Sequence, residues 1–328
     1  MMRKRFLGGV LGLGLTMLAG LAGAQAATPL RIGYSDWPGW IAWQVAIDKG
    51  WFKQAGVDVD FQWFDYSASM DAFNAGKLDA DCMTNGDTLV NASSGIKSIM
   101  IMLTDYSDGN DMIVAKPPYR TLQSLKGQKI GIEVGLVEHL LLLYGLKQDG
   151  MSEQDVTLVN AKTNETPQVL ASGAVAAIGA WQPNAGMAMK MVPGARPVYT
   201  SANAPGLIYD VLAVSPVSLK DRRADWMKVI EVWNKTVAYI NDPKTQADAV
   251  AIMARRVGLT PEQYLPLLKG THLIDVAEAK KVFQKGSGLN SLYGSSKISD
   301  DFNVKNSVYK SPQDIDGEID PSLTEAQP

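Results

Sequence analysis

Two stretches of this chain present the same order of elements at nearly the same spacing, and that repeat restricts the fold more than any other feature of the sequence. In the first, residues 30–34 (Leu-Arg-Ile-Gly-Tyr) form a strand-like run, and residues 40–55 carry helical periodicity that stops near Gly56. Over 57–64, Val57, Val59, Phe61 and Trp63 alternate with polar or acidic neighbours, as in a half-buried strand. Residues 68–76 read as a helix with Gly76 as C-cap. A short strand over 78–83 precedes the loop Thr84-Asn85-Gly86-Asp87. The second stretch repeats the order: strand 129–133, helix 137–148, strand 155–160, helix 165–172 capped by Gly173, strand 175–180, then Trp181-Gln182-Pro183. Gly33 to Gly76 spans 43 positions and Gly131 to Gly173 spans 42. Strands alternating with helices at this pitch form parallel sheets flanked by helices. The fold class is therefore α/β, as two similar lobes, each a βαβαβ-type sheet.

Two β-rich runs, 110–116 and 207–215, lie before and after the second stretch. They suit a chain that leaves the first lobe, builds the second and returns, with hinge segments at 111–114 and 209–212. The expected organisation is 1–26 as a signal peptide, 27–112 with 213–328 as lobe one, and 113–212 as lobe two. The rest reads as helical. Residues 222–241 and 243–258 form long helices, Thr260-Pro261-Glu262 signals a capped start, and Asp275-Val276-Ala277-Glu278 opens another helix. From Pro312 onward the chain is polar and rich in Asp, Pro and Ser, and reads as loose.

Arg3, Lys4 and Arg5 precede an uncharged apolar run over 7–21 and the small-residue sites Ala22-Gly23-Ala24 and Ala24-Gln25-Ala26. This is the pattern of a secretory signal cleaved after Ala26. The apolar run is shorter than the roughly 20 residues of a membrane span. The one cysteine, Cys82, lies far from the cleavage site, so no lipid-anchor acceptor stands there and no intramolecular disulfide forms. The expectation is a soluble periplasmic protein. Without the signal, 28 basic residues face 34 acidic ones, a net charge near −6 that disfavours nucleic acid as a partner.

The segments "LRIGY", "AIDKGWFKQAGVDVDF", "AFNAGKLDAD", "SLKGQKIGIEVG" and "VLASGAVAAIGAWQP" together resemble the periplasmic solute-binding proteins of bacterial ABC importers, in the nitrate/sulfonate/taurine group. The resemblance runs from the signal to the last helices. It implies two α/β lobes on a two-segment hinge (the type II periplasmic-binding fold), a ligand held between the lobes, no catalysis, no cofactor, and delivery to an ABC permease in the inner membrane by a monomer. Family members that bind sulfonate or nitrate commonly place Gly-Ser-Ser at the start of the helix that matches 137–148 here. In this chain the stretch is Gly135-Leu136-Val137-Glu138-His139. Hydroxyls that would hold an oxyanion are replaced by a carboxylate, which is costly to bury beside an anion.

Ligands of open α/β sheets bind outside the carboxyl ends of the strands. The loops there nominate Asp36, Trp37, Trp40, Asn85, Asp87, Asp111, Glu133, Glu138, Trp181, Gln182 and Asp210 as ligand-binding residues. They supply aromatic faces and carboxylates, and no lysine or arginine. That set suits a ligand with N–H donors or positive charge: an amine, guanidinium, amidine or urea-like compound whose planar cations also stack on indoles. Each residue has a structural alternative. Asp36 could cap a helix, Asn85 could serve a turn, Glu138 could answer a helix dipole, and Asp111 and Asp210 could serve the hinge. His139 and His272 lack metal-ligand spacing, and neither a Gly-rich phosphate loop nor a Gly-x-Ser-x-Gly elbow occurs. The same role for taurine, another sulfonate or nitrate is the second reading. The rival classes are a ligand sensor and a pyrimidine-synthase-like enzyme. The enzyme would need a cysteine-rich motif and paired histidines that this chain lacks.

Overall fold

The computed structural model describes residues 28–328, so the signal expected over 1–26 lies outside the described residues. The chain enters on β1 (Leu30–Tyr34). The single helix expected next is three short ones, α1 (Pro38–Ile41), α2 (Trp43–Asp48) and α3 (Trp51–Gln54). Gly50 breaks the last two apart at φ +65°, a conformation that favours glycine. Then come β2 (Val59–Trp63), α4 (Tyr66–Asn74) and β3 (Ala80–Thr84). The expected loop at 84–87 is instead a helix start: the Thr84 hydroxyl accepts from the Asp87 amide and opens α5 (Asn85–Ser93). A strand absent from the sequence reading follows, β4 (Ile99–Ser107).

The second unit holds β5 (Asp111–Ala115), β6 (Lys129–Ile132), α6 (Val137–Gln148), β7 (Thr157–Asn160), α7 (Thr166–Ala171), β8 (Ala177–Trp181), α8 (Asn184–Met191) and β9 (Arg196–Thr200). The chain returns on β10 (Tyr209–Val214) to α9 (Pro216–Asp221), α10 (Arg223–Asn241), α11 (Gln246–Arg256) and α12 (Pro261–Lys269). A capping box of Thr260 with Gln263 starts α12. Next are β11 (Thr271–Leu273), α13 (Val276–Val282, capped by Asp275) and α14 (Leu292–Lys305). The tail is not loose. It forms α15 (Ile315–Glu318) and α16 (Ser322–Glu325), with Leu323 fully buried and Ile319 bridged to Met100 of β4.

The strands build two sheets, ordered β11-β4-β10-β3-β1-β2 and β7-β6-β8-β5-β9. In each, the first strand of the repeat lies between the other two in parallel: β2-β1-β3 in one, β7-β6-β8 in the other. The mid-strand glycines occupy equivalent registers, Gly33 opposite Asp81 and Gly131 opposite Ile178. A Cβ at Gly33 would meet Asp81 Oδ1 at 2.4 Å, and one at Gly131 would meet Ile178 at 3.3 Å. The repeat is thus a packing requirement as well as a spacing. The chain is a two-lobed α/β protein, one sheet to each lobe.

Asp111 and Met112 pair in the second sheet, and residues 209–212 pair in the first. Strands β5 and β10 are therefore sheet members rather than free hinge segments. The linkers are 108–110 and 201–208, knotted where Ser201 Oγ meets Ser107 Oγ at 2.6 Å and accepts from Gly109 N at 2.7 Å. The largest core packs α2, α10 and α11 beside the first sheet around Trp43 and Trp233, whose rings lie 4.5 Å apart.

Candidate functional site

The carboxyl ends of the repeat strands of both lobes face one another, and the loops there enclose two chambers. The outer one, about 50 Å³, includes Asp36, Tyr66, Glu133, Lys162, Trp181 and Asn184 in its walls. The inner one, about 10 Å³, is walled by Trp37, Trp40, Tyr66, Asp111, Trp181 and Asp210, with Thr84, Val137 and Ile208. Tyr66 and Trp181 belong to both and meet edge to face, 5.5 Å between ring centroids, as the partition between them. An inner chamber of this size admits about one water.

Asp36 ties the lobes together. It follows β1, yet it accepts from Trp181 Nε1 (2.9 Å) at the end of β8 and from Asn184 Nδ2 (2.8 Å) at the start of α8. It does not cap α1, whose N-cap position is Trp37 with no side-chain bond. Burial pushes its carboxyl above the usual range, and the two donors partly oppose that.

Five acids surround the inner chamber in a buried cluster. Asp105 on β4 stands directly opposite Asp210 on β10, a like-charge cross-strand pair that is unfavourable as two carboxylates. Asp210 lies well above the usual carboxylate range through burial and the nearby Asp105, whereas burial brings Asp105 only to about 6, restrained by Asp210 and by Trp37. Trp37 Nε1 donates to Asp105 Oδ1 at 2.8 Å. Gly39 lets the turn close over that carboxylate, since a Cβ there would fall 2.1 Å from Asp105 Oδ2. In the other lobe, Asp111 at the start of β5 pairs with Glu138 in the first turn of α6. Burial raises Asp111 to about 7 and Glu138 well above its ordinary value, the latter pushed further by Asp111. Asp87, raised to about 7 by burial, accepts from the Tyr66 hydroxyl at 2.7 Å. Asp105 Oδ2, Asp111 Oδ2, Asp210 Oδ2 and both oxygens of Glu138 are buried without a protein donor.

Of the residues nominated from sequence, Trp37, Trp40, Asp111, Trp181 and Asp210 wall the inner chamber, and Asp36, Glu133 and Trp181 the outer. Glu133 accepts from the amide and hydroxyl of Thr163, at 3.3 and 3.2 Å. Asp87 and Glu138 stand behind the inner wall. Two nominees are elsewhere. Asn85 is fully buried, donates to Ser295 and Ser296 of α14 and accepts from the Tyr209 amide, so it anchors α14. Gln182 turns its Oε1 to the Gly186 amide inside α8. The sequence reading missed Asp105 and Tyr66, which sit within an apolar strand and at a helix start. It also missed Lys162, the one basic residue in the outer wall, placed there by the β7–α7 connection. An acid interrupting the run over 99–103 was the only signal for Asp105. His139 and His272 are engaged outside the site, with Glu153 and Glu278.

The chain and its fold have counterparts among known proteins. Residues 37–247 match the model of the family described as NMT1/THI5 like. A Brucella abortus protein named as a binding protein is 31% identical over 196 residues, which cover 59% of this chain and 60% of that one, so the match spans less than two thirds of the relative. An Escherichia coli protein named for binding aliphatic sulfonates is 24% identical, over 75% of this chain and 77% of that one. Among solved structures, the alkanesulfonate-binding protein of Xanthomonas axonopodis pv. citri bound to MOPS superposes at a TM-score of 0.75 and 17% identity, covering 90% of this chain and all of that one. A desulfurization enzyme shares the fold at a TM-score of 0.62 and 15% identity, over 90% of this chain and 98% of that one. The family match and these superpositions, on two sheets joined by two crossings, lead to one conclusion: this chain belongs to the NMT1/THI5-like family and has its two-lobed, periplasmic-binding type of fold.

Proposed function

We propose that this chain is the extracytoplasmic solute-binding component of an ABC importer, and that its ligand is a small nitrogen-containing cation. Lobe one is 28–107 with 209–328, lobe two is 111–200, and the linkers 108–110 and 201–208 let them part. The named relatives and the fold support the importer role. Ligand contacts that exist only when both lobes meet shift the population to the closed form, which a permease reads. A catalytic role has little to stand on: Cys82 is buried in β3 with its thiol pushed up by burial, so it offers no ready nucleophile.

One observation carries the ligand class. Asp111 and Asp210 wall the inner chamber, Asp87, Asp105 and Glu138 are buried behind them, and its walls hold no lysine or arginine. The outer chamber's Lys162 stands among Asp36, Asp65 and Glu133. An anion would meet three acids against one lysine in the outer chamber and acids with no basic residue in the walls of the inner one. The relatives' names favour the second reading, a sulfonate, and on names alone it is the better supported. The side chains of this chain argue against it. A thermal-shift panel of alkylamines, guanidinium and amidinium salts, taurine and nitrate separates the two, since a ligand at a thousand times its Kd stabilises by about 4 kcal/mol. Cations are expected to raise Tm. A response to taurine alone would establish the sulfonate reading instead.

A further inference from the structure

Two of the buried oxygens without a donor, Asp111 Oδ2 and Asp210 Oδ2, belong to residues that wall the inner chamber, and they set a requirement finer than positive charge. They come from different lobes, and each has a second acid behind it: Asp105 lies opposite Asp210 across β4 and β10, and Glu138 opens α6 beside Asp111. Among the described residues no three His, Cys, Asp or Glu side chains are grouped as metal ligands, so the acids do not converge on one ion. The walls beside them are flat: Trp37, Trp40, Tyr66 and Trp181. Resting on the cationic reading above, we propose that the site selects a planar guanidinium- or amidinium-type cation whose N–H groups on two edges meet Asp111 and Asp210 from the two lobes, and that binding drives protons from these buried acids to solvent.

The donor count supports this. An alkylammonium offers three N–H donors in a cone, whereas a monosubstituted guanidinium offers five in one plane and forks onto carboxylates two at a time. Two acids on facing lobes, between flat aromatic walls, match the second. A cation's N–H groups supply the donors that Asp111 Oδ2 and Asp210 Oδ2 lack. The titratable groups around the pairs are Asp87 and Tyr66 from α5 and α4, Glu133 after β6, Tyr264 on α12 and His272 on β11. The inner chamber is smaller than such a cation, so entry requires the Tyr66–Trp181 partition to draw back as the lobes part.

Titration calorimetry of the mature protein at pH 7, in phosphate and in Tris, tests the proposal with methylguanidinium, acetamidinium, methylammonium, urea and taurine as probes. The two buffers differ in ionisation enthalpy, so their difference counts protons. Methylguanidinium or acetamidinium is expected to bind at least about tenfold tighter than methylammonium and to release at least about one proton per ligand. Glu138→Gln and Asp210→Asn, which keep shape and reduce buried charge, are each expected to weaken that binding about tenfold or more and to lower the proton count. Methylammonium binding as tightly, or binding without proton release, overturns this proposal and leaves the cationic reading standing. Binding of taurine alone overturns both, and a panel with no binder overturns the ligand class. Wild-type affinity and proton release in both folded variants would remove the carboxyl pairs from recognition.

Discussion

Replacing Asp36 by alanine tests the lobe contact at its centre. The side chain accepts two hydrogen bonds from the opposite lobe, at 2.9 Å from Trp181 Nε1 and 2.8 Å from Asn184 Nδ2. Hydrogen bonds to a charged acceptor contribute about 1.5–3 kcal/mol each. Parting the lobes returns all three groups to water, which recovers much of that, so the net bias toward closure is about 1–3 kcal/mol. A bias of that size is a factor of about 5–150 in the closed-to-open ratio, and apparent affinity falls with the competent fraction. Asp36→Ala is therefore expected to enlarge the radius of gyration in small-angle scattering without ligand and to weaken ligand binding by about 5–150-fold. Asp36→Asn keeps one acceptor oxygen and is expected to fall between. The raised carboxyl also implies that acid loosens the lobes, because protonation removes the charge that strengthens both bonds. A variant with unchanged radius of gyration and unchanged affinity would refute the latch.

The other expectations concern the acids and their supports. Asp87, Asp105 and Asp111 keep their protons in the folded protein up to about pH 7, 6 and 7, whereas unfolded they ionise near 4. Between those limits the folded state binds more protons, so stability falls as pH rises, by at most about 1.4 kcal/mol per pH unit per group. Tm without ligand is expected to be higher at pH 5 than at pH 8, and a Tm climbing across that range would contradict the burial of these acids. Gly39→Ala drives a methyl into Asp105, and is expected to cost about 1–3 kcal/mol in urea unfolding and to abolish ligand binding; a variant that binds normally would place Asp105 elsewhere. Asn85→Ala orphans the Tyr209 amide and frees α14, and is expected to cost about 2–4 kcal/mol while leaving Kd near wild type; loss of affinity in a stable variant would return Asn85 to the site.

Spacing alone made the repeat legible, since Gly76 and Gly173 end equivalent helices at φ +69° and +81°. It also gave α6 its full range, because the apolar run over 140–144 lies in a stretch bounded by Gly135 and Gly150. The helix after β1 was overextended because its apolar periodicity continues across Gly50, and only the positive φ there breaks it. Strand β4 was hidden by its composition: 99–103 is apolar throughout, with no alternation to separate a strand buried on both faces from a core helix. The tail misled in the opposite sense. It is polar, yet Ile319 and Leu323 suffice to seat it on β4. Four of the five acids of the cluster were legible because the loops at strand ends reveal Asp87, Asp111, Glu138 and Asp210. Asp105 needed the pairing register, since only the antiparallel alignment of β4 with β10 puts it opposite Asp210.

That alignment bears on why the acids are there. Buried carboxyl pairs do little for folding, and replacing such groups by apolar residues of similar volume is often neutral or stabilising. Here an Asp faces an Asp across two central strands of the first sheet, a Glu meets an Asp across helix and strand in the other lobe, and both pairs flank one chamber. Trp37 and Gly39, the turn that follows β1, are shaped around one of those carboxylates: an indole N–H donates to it and a missing Cβ makes room for it. A turn fitted to an unfavourable charge is a local conflict that the fold tolerates where function needs it. Neutral isosteres at both pairs, Asp210→Asn with Glu138→Gln, are accordingly expected to leave the folded protein at least as stable at pH 8 while removing its response to cations. A double variant that unfolds more readily at that pH would assign the acids to the fold instead of the ligand.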